Sequence, residues 1–146
     1  MSKYKKLSHV VYKCDYHIVW VPKYRFRILK GAIKTLVEVD MRMLCEWKQC
    51  EIQELNVQED HIHLVVSIPP KVSVSKLMGT LKGKIAIKLF RSYPKLKQKP
   101  YWGNRFWARG YFVSTVGLDE DKIRRYVKYQ EKEEKKIEDN QQKFEF

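Results

Sequence analysis

A chain of 146 residues with 44% hydrophobic and 13% aromatic content is the size of one domain and too apolar to be disordered. Thirty Lys and Arg against seventeen Asp and Glu leave a formal charge of +13, which turns the chain toward nucleic acid first and a ribosomal or membrane surface second. No run of about 18 apolar residues exists to cross a bilayer, and the basic N-terminus carries no signal-peptide pattern, so the expected location is the cytoplasm with no membrane partner.

The charge is uneven. Residues 1–30 hold eight bases and one acid, Asp15, and Lys71 to Gly110 hold eleven bases and no acid. That asymmetry predicts one basic surface. The three cysteines, Cys14, Cys45 and Cys50, have neither disulfide-framework nor zinc spacing and read as buried small hydrophobes or free thiols.

In chain order, Tyr16-His17-Ile18-Val19-Trp20-Val21 reads as a strand that stops at Pro22. A basic connection follows. From about Gly31 to Lys48, Ile33, Val37, Leu44 and Trp47 recur at helical spacing, with Leu36 and Met41 widening the stripe. Cys50 to Val57 is a second strand whose alternation slips once, as a bulge would make it. After the turn Gln58-Glu59-Asp60 comes a third strand, His61 to Ile68, closed by Pro69-Pro70. A second helix spans about Ser73 to Phe90, with Val74, Leu77, Met78, Leu81, Ile85 and Leu89 on its apolar stripe and Lys76, Lys82, Lys84 and Lys88 off it. Ser92 to Gly110 is basic and aromatic without clear period, and Tyr111 to Val116 is a fourth strand. A last helix, about 119–139, starts on Asp119-Glu120-Asp121, which suits the positive end of a helix dipole.

This order predicts an α+β fold: a ferredoxin-like, RRM-like βαββαβ antiparallel sheet with two helices on one face and an additional C-terminal helix carrying Tyr126. The whole chain, 1–146, is expected to be a single domain.

Side chains alternate along a strand, so His61 and His63 share a face while Ile62 and Leu64 point to the core. The pair reads either as two half-exposed histidines following a turn or as two imidazole ligands for a divalent ion that needs a third. His17 could line the same face, and packing is its ordinary alternative. On the last helix, Tyr126 and Gln130 are four apart and point together. Alone, the tyrosine reads as packing and the glutamine as solvated. Together with the histidines they fit one chemistry: a phenol as nucleophile on a phosphodiester, and an amide oxygen as a further ligand to a cation that polarises the phosphate.

Lys76, Lys82, Lys84 and Lys88 are expected to contact phosphates as a group. Between 93 and 110, aromatics alternate with bases, and Arg105, Trp107 and Arg109 are candidates to stack on and neutralise unpaired DNA. The alternative is a loop anchored to the core by its tryptophans.

At this point the chain resembles the single-tyrosine transposases of the smallest bacterial insertion sequences, within the His-hydrophobic-His endonuclease superfamily. The resemblance rests on YHIVWVPKYR (16–25), LCEW (44–47), EDHIHLVVSIPP (59–70), SVSKLMGTLKGK (73–84), FWARGYFVSTVG (106–117) and YVKYQ (126–130), in this order and spacing. It implies that His61, His63 and Gln130 are ligands to Mg2+ or Mn2+. It implies that Tyr126 becomes joined to a DNA 5′ phosphate and frees a 3′ hydroxyl. It further implies a homodimer that recognises hairpins at the element's ends and moves single-stranded DNA; in relatives the tyrosine helix can pack against the partner's histidines, making composite sites. Two other readings stay open: a sister nuclease acting on repeated extragenic palindromes, and a non-catalytic nucleic-acid-binding module.

Overall fold

The computed structural model describes residues 4–7, 10–98 and 105–116. The described residues fall into two units. One is a short antiparallel hairpin of β1 (Lys5–Leu7) and β2 (Val10–Tyr12) in register Lys6↔Val11. Sequence pattern does not announce this hairpin, because two three-residue strands are too short to show a period. The helix expected at 119–139, with Tyr126 and Gln130, lies outside the described residues.

The other unit, Cys14–Thr115, carries the expected βαββαβ order. Its elements are β3 (Asp15–Trp20), α1 (Gly31–Trp47), β4 (Glu51–Val57), β5 (Ile62–Ser67), α2 (Val74–Ser92) and β6 (Phe112–Thr115). The four strands form one antiparallel sheet in the order β4-β5-β3-β6. The central pair runs in register from Asp15↔Ser67 to Trp20↔Ile62. The slip read in the second strand is a bulge between Ile52 and Glu54. It keeps Ile52, Leu55 and Val57 opposite Val66, Leu64 and Ile62 despite the extra residue.

The core lies between one face of the sheet and the two helices. Ile18, Trp20, Ile62, Leu64 and Val66 meet Val37, Met41 and Leu44 of α1 and Leu77, Leu81, Ile85 and Leu89 of α2. Trp47 is an exception to the predicted stripe and is 64% exposed. Six residues after Met41, it sits about 240° round the helix, away from the sheet. Gln49, at φ 61, ends α1 in the left-handed conformation, and Cys50 N–H donates back to Cys45 O at 2.8 Å. Ser73 caps α2, its hydroxyl accepting from Lys76 N–H at 3.1 Å.

The pairing of β3 with its neighbour continues past β6. Lys23 N–H donates to Phe106 O, Ala108 N–H donates to Val21 O, and Pro22 bridges Trp107. Between Ala108 and Phe112 the chain leaves the ladder, with Gly110 at φ +77. Carbonyls taken out of a ladder need other donors. Lys82 Nζ supplies them, reaching Ala108 O and Gly110 O at 2.9 Å each.

Candidate nuclease centre on the open sheet face

Helices cover one face of the sheet, and alternation puts a different set of side chains on the other. His17 and Val19 of β3, His63 and Val65 of β5 with His61 just before it, Asn56 of β4, and Phe112 and Ser114 of β6 share that face. At one end it is closed: Asp15 and Ser67 are buried, and Gln53, carried by the bulge, donates to Asp15 Oδ1 at 3.2 Å. The histidines occupy the more open end, where Phe112 is also exposed.

His61 stands where β5 begins. Its Nδ1 is 2.8 Å from Asp60 Oδ1, and the other carboxylate oxygen of Asp60 receives Arg25 Nη2 at 3.1 Å. A carboxylate only accepts, so His61 Nδ1 carries a proton, and in the neutral ring the lone pair lies on Nε2. The His61 bond, followed by the nearby Arg25 charge, holds the Asp60 carboxyl below its usual range against the opposing effect of desolvation.

His63 pairs across the strands instead. Its Nε2 lies 2.8 Å from His17 Nε2, with the rings edge-on at 71° and centroids 4.2 Å apart. One ring donates and the other accepts. The weak sequence signal at His17 thus becomes a direct contact with a candidate ligand. Asp60 and Arg25 carried no recognised signal, although a carboxylate immediately before a ligand histidine is the sort of partner that metal-bound imidazoles use.

Residues 10–130 match the family described as "Transposase IS200 like". The chain belongs to the IS200-like transposases. Relatives include the transposase for insertion sequence element IS200 from Salmonella typhimurium and that from Salmonella typhi, each 45% identical over 92% of this chain and 88% of its own length. The ISDra2 transposase TnpA of Deinococcus radiodurans is 31% identical over 89% of this chain and 93% of its own. Among solved structures, a Deinococcus radiodurans transposase superposes with a TM-score of 0.69 at 30% identity, covering 88% of this chain and 96% of the other. A REP-associated tyrosine transposase bound to a REP hairpin superposes with a TM-score of 0.56 over 88% of this chain and 70% of the other, a likeness of fold at 14% identity.

This transposase is therefore an enzyme that cuts single-stranded DNA through a tyrosine, and its family uses divalent metal ions. Among the described residues no group of three or more His, Cys, Asp or Glu is arranged to hold an ion. The residues present do fit two-thirds of such a set. His61 offers a free Nε2, and His63 is on the same face and engaged only by another neutral-capable imidazole. A third donor has to come from another residue type or from outside the described residues, and an amide such as Gln130 is both.

The basic residues of this transposase divide by partner. Helix α2 packs on the opposite face of the sheet, so Lys76, Lys84 and Lys88 do not stand beside the histidines. Lys76 and Lys84 are exposed, with Lys84 Nζ 5.8 Å from the centre of the Trp47 ring. Lys88 Nζ is bound at 2.8 Å to Asp40 Oδ1, a carboxylate that is 5% exposed. Lys82 is committed to the two loop carbonyls, and burial lowers its pKa. Trp107 is buried, edge-on to Trp20 and Phe106, and its indole N–H donates to Lys82 O at 3.0 Å. Here the loop is anchored by its tryptophan, and the ring is not on the surface to stack on a base. Arg105 and Arg109 on either side of it are exposed. Among the described residues no helix is long and apolar enough to cross a membrane.

Proposed function

We propose that this transposase cleaves and rejoins single-stranded DNA at the ends of an insertion sequence, with Tyr126 as nucleophile and with His61, His63 and Gln130 holding Mg2+ or Mn2+. The observation that carries the proposal is the open sheet face, which His61 and His63 share, with His61 bonded to Asp60 through Nδ1 and not through Nε2. A bound divalent cation supplies charge neutralisation and orientation at the scissile phosphate. The Tyr126 oxygen forms a bond to phosphorus and gives up its proton, and the 3′ oxygen of the preceding nucleotide leaves and takes one. One phosphoester is exchanged for another, so the bond energy is kept for rejoining.

On this reading the chain is one catalytic domain with the tyrosine helix at about 119–139. It binds hairpins at the element's ends as a homodimer, in the cytoplasm, with its sites completed either within one subunit or across two. Of the candidate DNA contacts, Lys76, Lys84, Arg105 and Arg109 are exposed bases available to phosphates. The 45% identity to IS200 transposases supports a mobile element as the substrate rather than dispersed palindromes.

The test is a covalent adduct. Wild-type protein incubated with single-stranded element-end DNA and Mg2+ is expected to give a DNA-shifted band on a denaturing protein gel. Tyr126→Phe is expected to give none. Equal cutting by the two proteins would remove Tyr126 from the mechanism.

A further inference from the structure

We propose that Tyr24, in edge contact with Phe26 on the turn between β3 and α1, is a stacking platform for an unpaired base next to the scissile phosphate. The inference rests on the reading of the histidine face as the nuclease centre and adds a substrate-binding residue to it.

The surrounding ladder fixes where the turn lies. β3 ends at Trp20 opposite Ile62, so the chain that leaves it crosses the end of β5 where His61 stands. Lys23 N–H donates to Phe106 O at 2.8 Å, and the buried Leu29 donates its N–H to Glu59 O at 3.0 Å. Between those anchors Arg25 Nη2 reaches Asp60 Oδ2 at 3.1 Å, one residue from His61. Tyr24 is therefore held beside the histidine end of the sheet.

The turn displays its rings rather than burying them. Tyr24 is 72% exposed and Phe26 42%. The two rings meet edge-on at 87° with centroids 5.8 Å apart, so each steadies the other while much of the Tyr24 ring stays in solvent. The backbone beneath is strained. Tyr24 and Arg25 lie in the left-handed region, at φ 58 and φ 54, where non-glycine residues rarely sit. Arg25 has Asp60 to show for its strain, whereas Tyr24 gains no burial from its own. Glycine would adopt that conformation freely, so what the tyrosine adds at this position is its ring. Strain of this kind persists where the surroundings hold it for a purpose.

The charges name the occupant. Between Pro22 and Lys30 stand Lys23, Arg25, Arg27 and Lys30 and no acid. Lys23 Nζ is 5.5 Å from the centre of the Tyr24 ring, and Arg27 and Lys30 are exposed. Exposed rings among cations suit a strand whose bases are unpaired and whose phosphates run alongside. A duplex keeps its bases stacked inside and would leave the rings unused. Because every base has a π-face, the contact would grip the strand without reading its sequence.

The experiment uses the full chain and a single-stranded element-end oligonucleotide. Single-turnover cleavage in Mg2+, over a range of protein concentrations, separates half-saturation from maximal rate for wild type, Tyr24→Phe, Tyr24→Ala and Tyr24→Gly. In EDTA, 2-aminopurine placed singly at each nucleotide flanking the scissile phosphate reads stacking as quenching. Tyr24→Ala is expected to raise the half-saturating concentration by about 5–100-fold, the range for loss of one base–aromatic stack, and to relieve quenching at one position. Tyr24→Phe keeps the ring and should keep most of the binding. Tyr24→Gly removes ring and strain together, so it should bind as poorly as Tyr24→Ala with a Tm no lower than wild type. An isolated hairpin without its single-stranded flank should bind all four proteins alike. Unchanged half-saturation and unchanged quenching at every position in Tyr24→Ala would overturn the inference. A changed oligomeric mass by light scattering with cleavage intact would overturn it equally, by assigning the rings to contact between copies. Normal cutting by His61→Ala would instead sink the reading of this face as the nuclease centre, so the two failures are distinguishable.

Discussion

Replacing Lys82 by Met separates a structural lysine from a DNA-binding one. Methionine fills the same space beside Trp107 but cannot donate. The change removes two charge-assisted bonds of 2.9 Å to Ala108 O and Gly110 O. Each such bond is worth about 1.5–3 kcal/mol when fully shielded. Here Ala108 is only half-buried and Gly110 is exposed, so water replaces much of what is lost. The desolvation that lowers the Lys82 pKa is also relieved by the substitution. The net cost is therefore about 2 kcal/mol, or roughly 6 °C in Tm for a chain of this size. The Trp107 bond to the Lys82 main-chain carbonyl survives, so the loop should loosen rather than detach. Thermal melts give the stability, and the salt dependence of single-stranded DNA binding gives the number of phosphates engaged. Each lost phosphate contact flattens the slope of log K against log salt by about 0.7. The expected result is a lowered Tm with an unchanged slope, whereas Lys84→Met should show the reverse. An unaltered Tm with a flattened slope for Lys82→Met would refute the anchoring role.

Three further outcomes follow from the same geometry. His63→Ala should abolish cleavage while hairpin binding survives within about a factor of three, in gel-shift assays; lost binding with normal cleavage would contradict the ligand assignment. Burial pushes the Cys45 thiol up to about 12 and the Cys50 thiol up to about 11, so both resist iodoacetamide in the native state at pH 8 while reacting in urea. For Cys45 the thiolate fraction at that pH is about one in ten thousand. Because the folded values are raised, these thiols favour the fold fully at neutral pH, and that contribution fades as pH climbs above about 9 toward the folded values. Gly110→Ala meets no atom within 4 Å but must hold φ +77, so its cost is backbone alone, about 1 kcal/mol of unfolding free energy in urea titrations.

Much of the fold was legible because its periods are strong. The alternation around Ile62 and Leu64 sets the histidine face, and the slip near Gln53 marks the bulge. What pattern could not supply was partnership between distant residues. Lys82 and Lys88 stand off the apolar stripe as expected of phosphate contacts, yet one serves carbonyls 26 and 28 residues on and the other a carboxylate 48 residues back. The same blindness hid Arg25 behind Asp60. Trp47 falls on the apolar stripe by spacing, while its angle on α1 turns it to solvent. Tyr126 and Gln130 stood out by spacing on a helix and by resemblance, and the described residues do not reach them.

The bulge in β4 also bears on how copies of the protein meet. β4 borders the sheet, and its kinked backbone and exposed, charged Glu51 and Glu54 make it a poor template for an incoming strand. Endless stacking of sheets requires a welcoming border on both sides of each molecule. With β4 guarded in this way, open-ended growth of the sheet from copy to copy is disfavoured on that side.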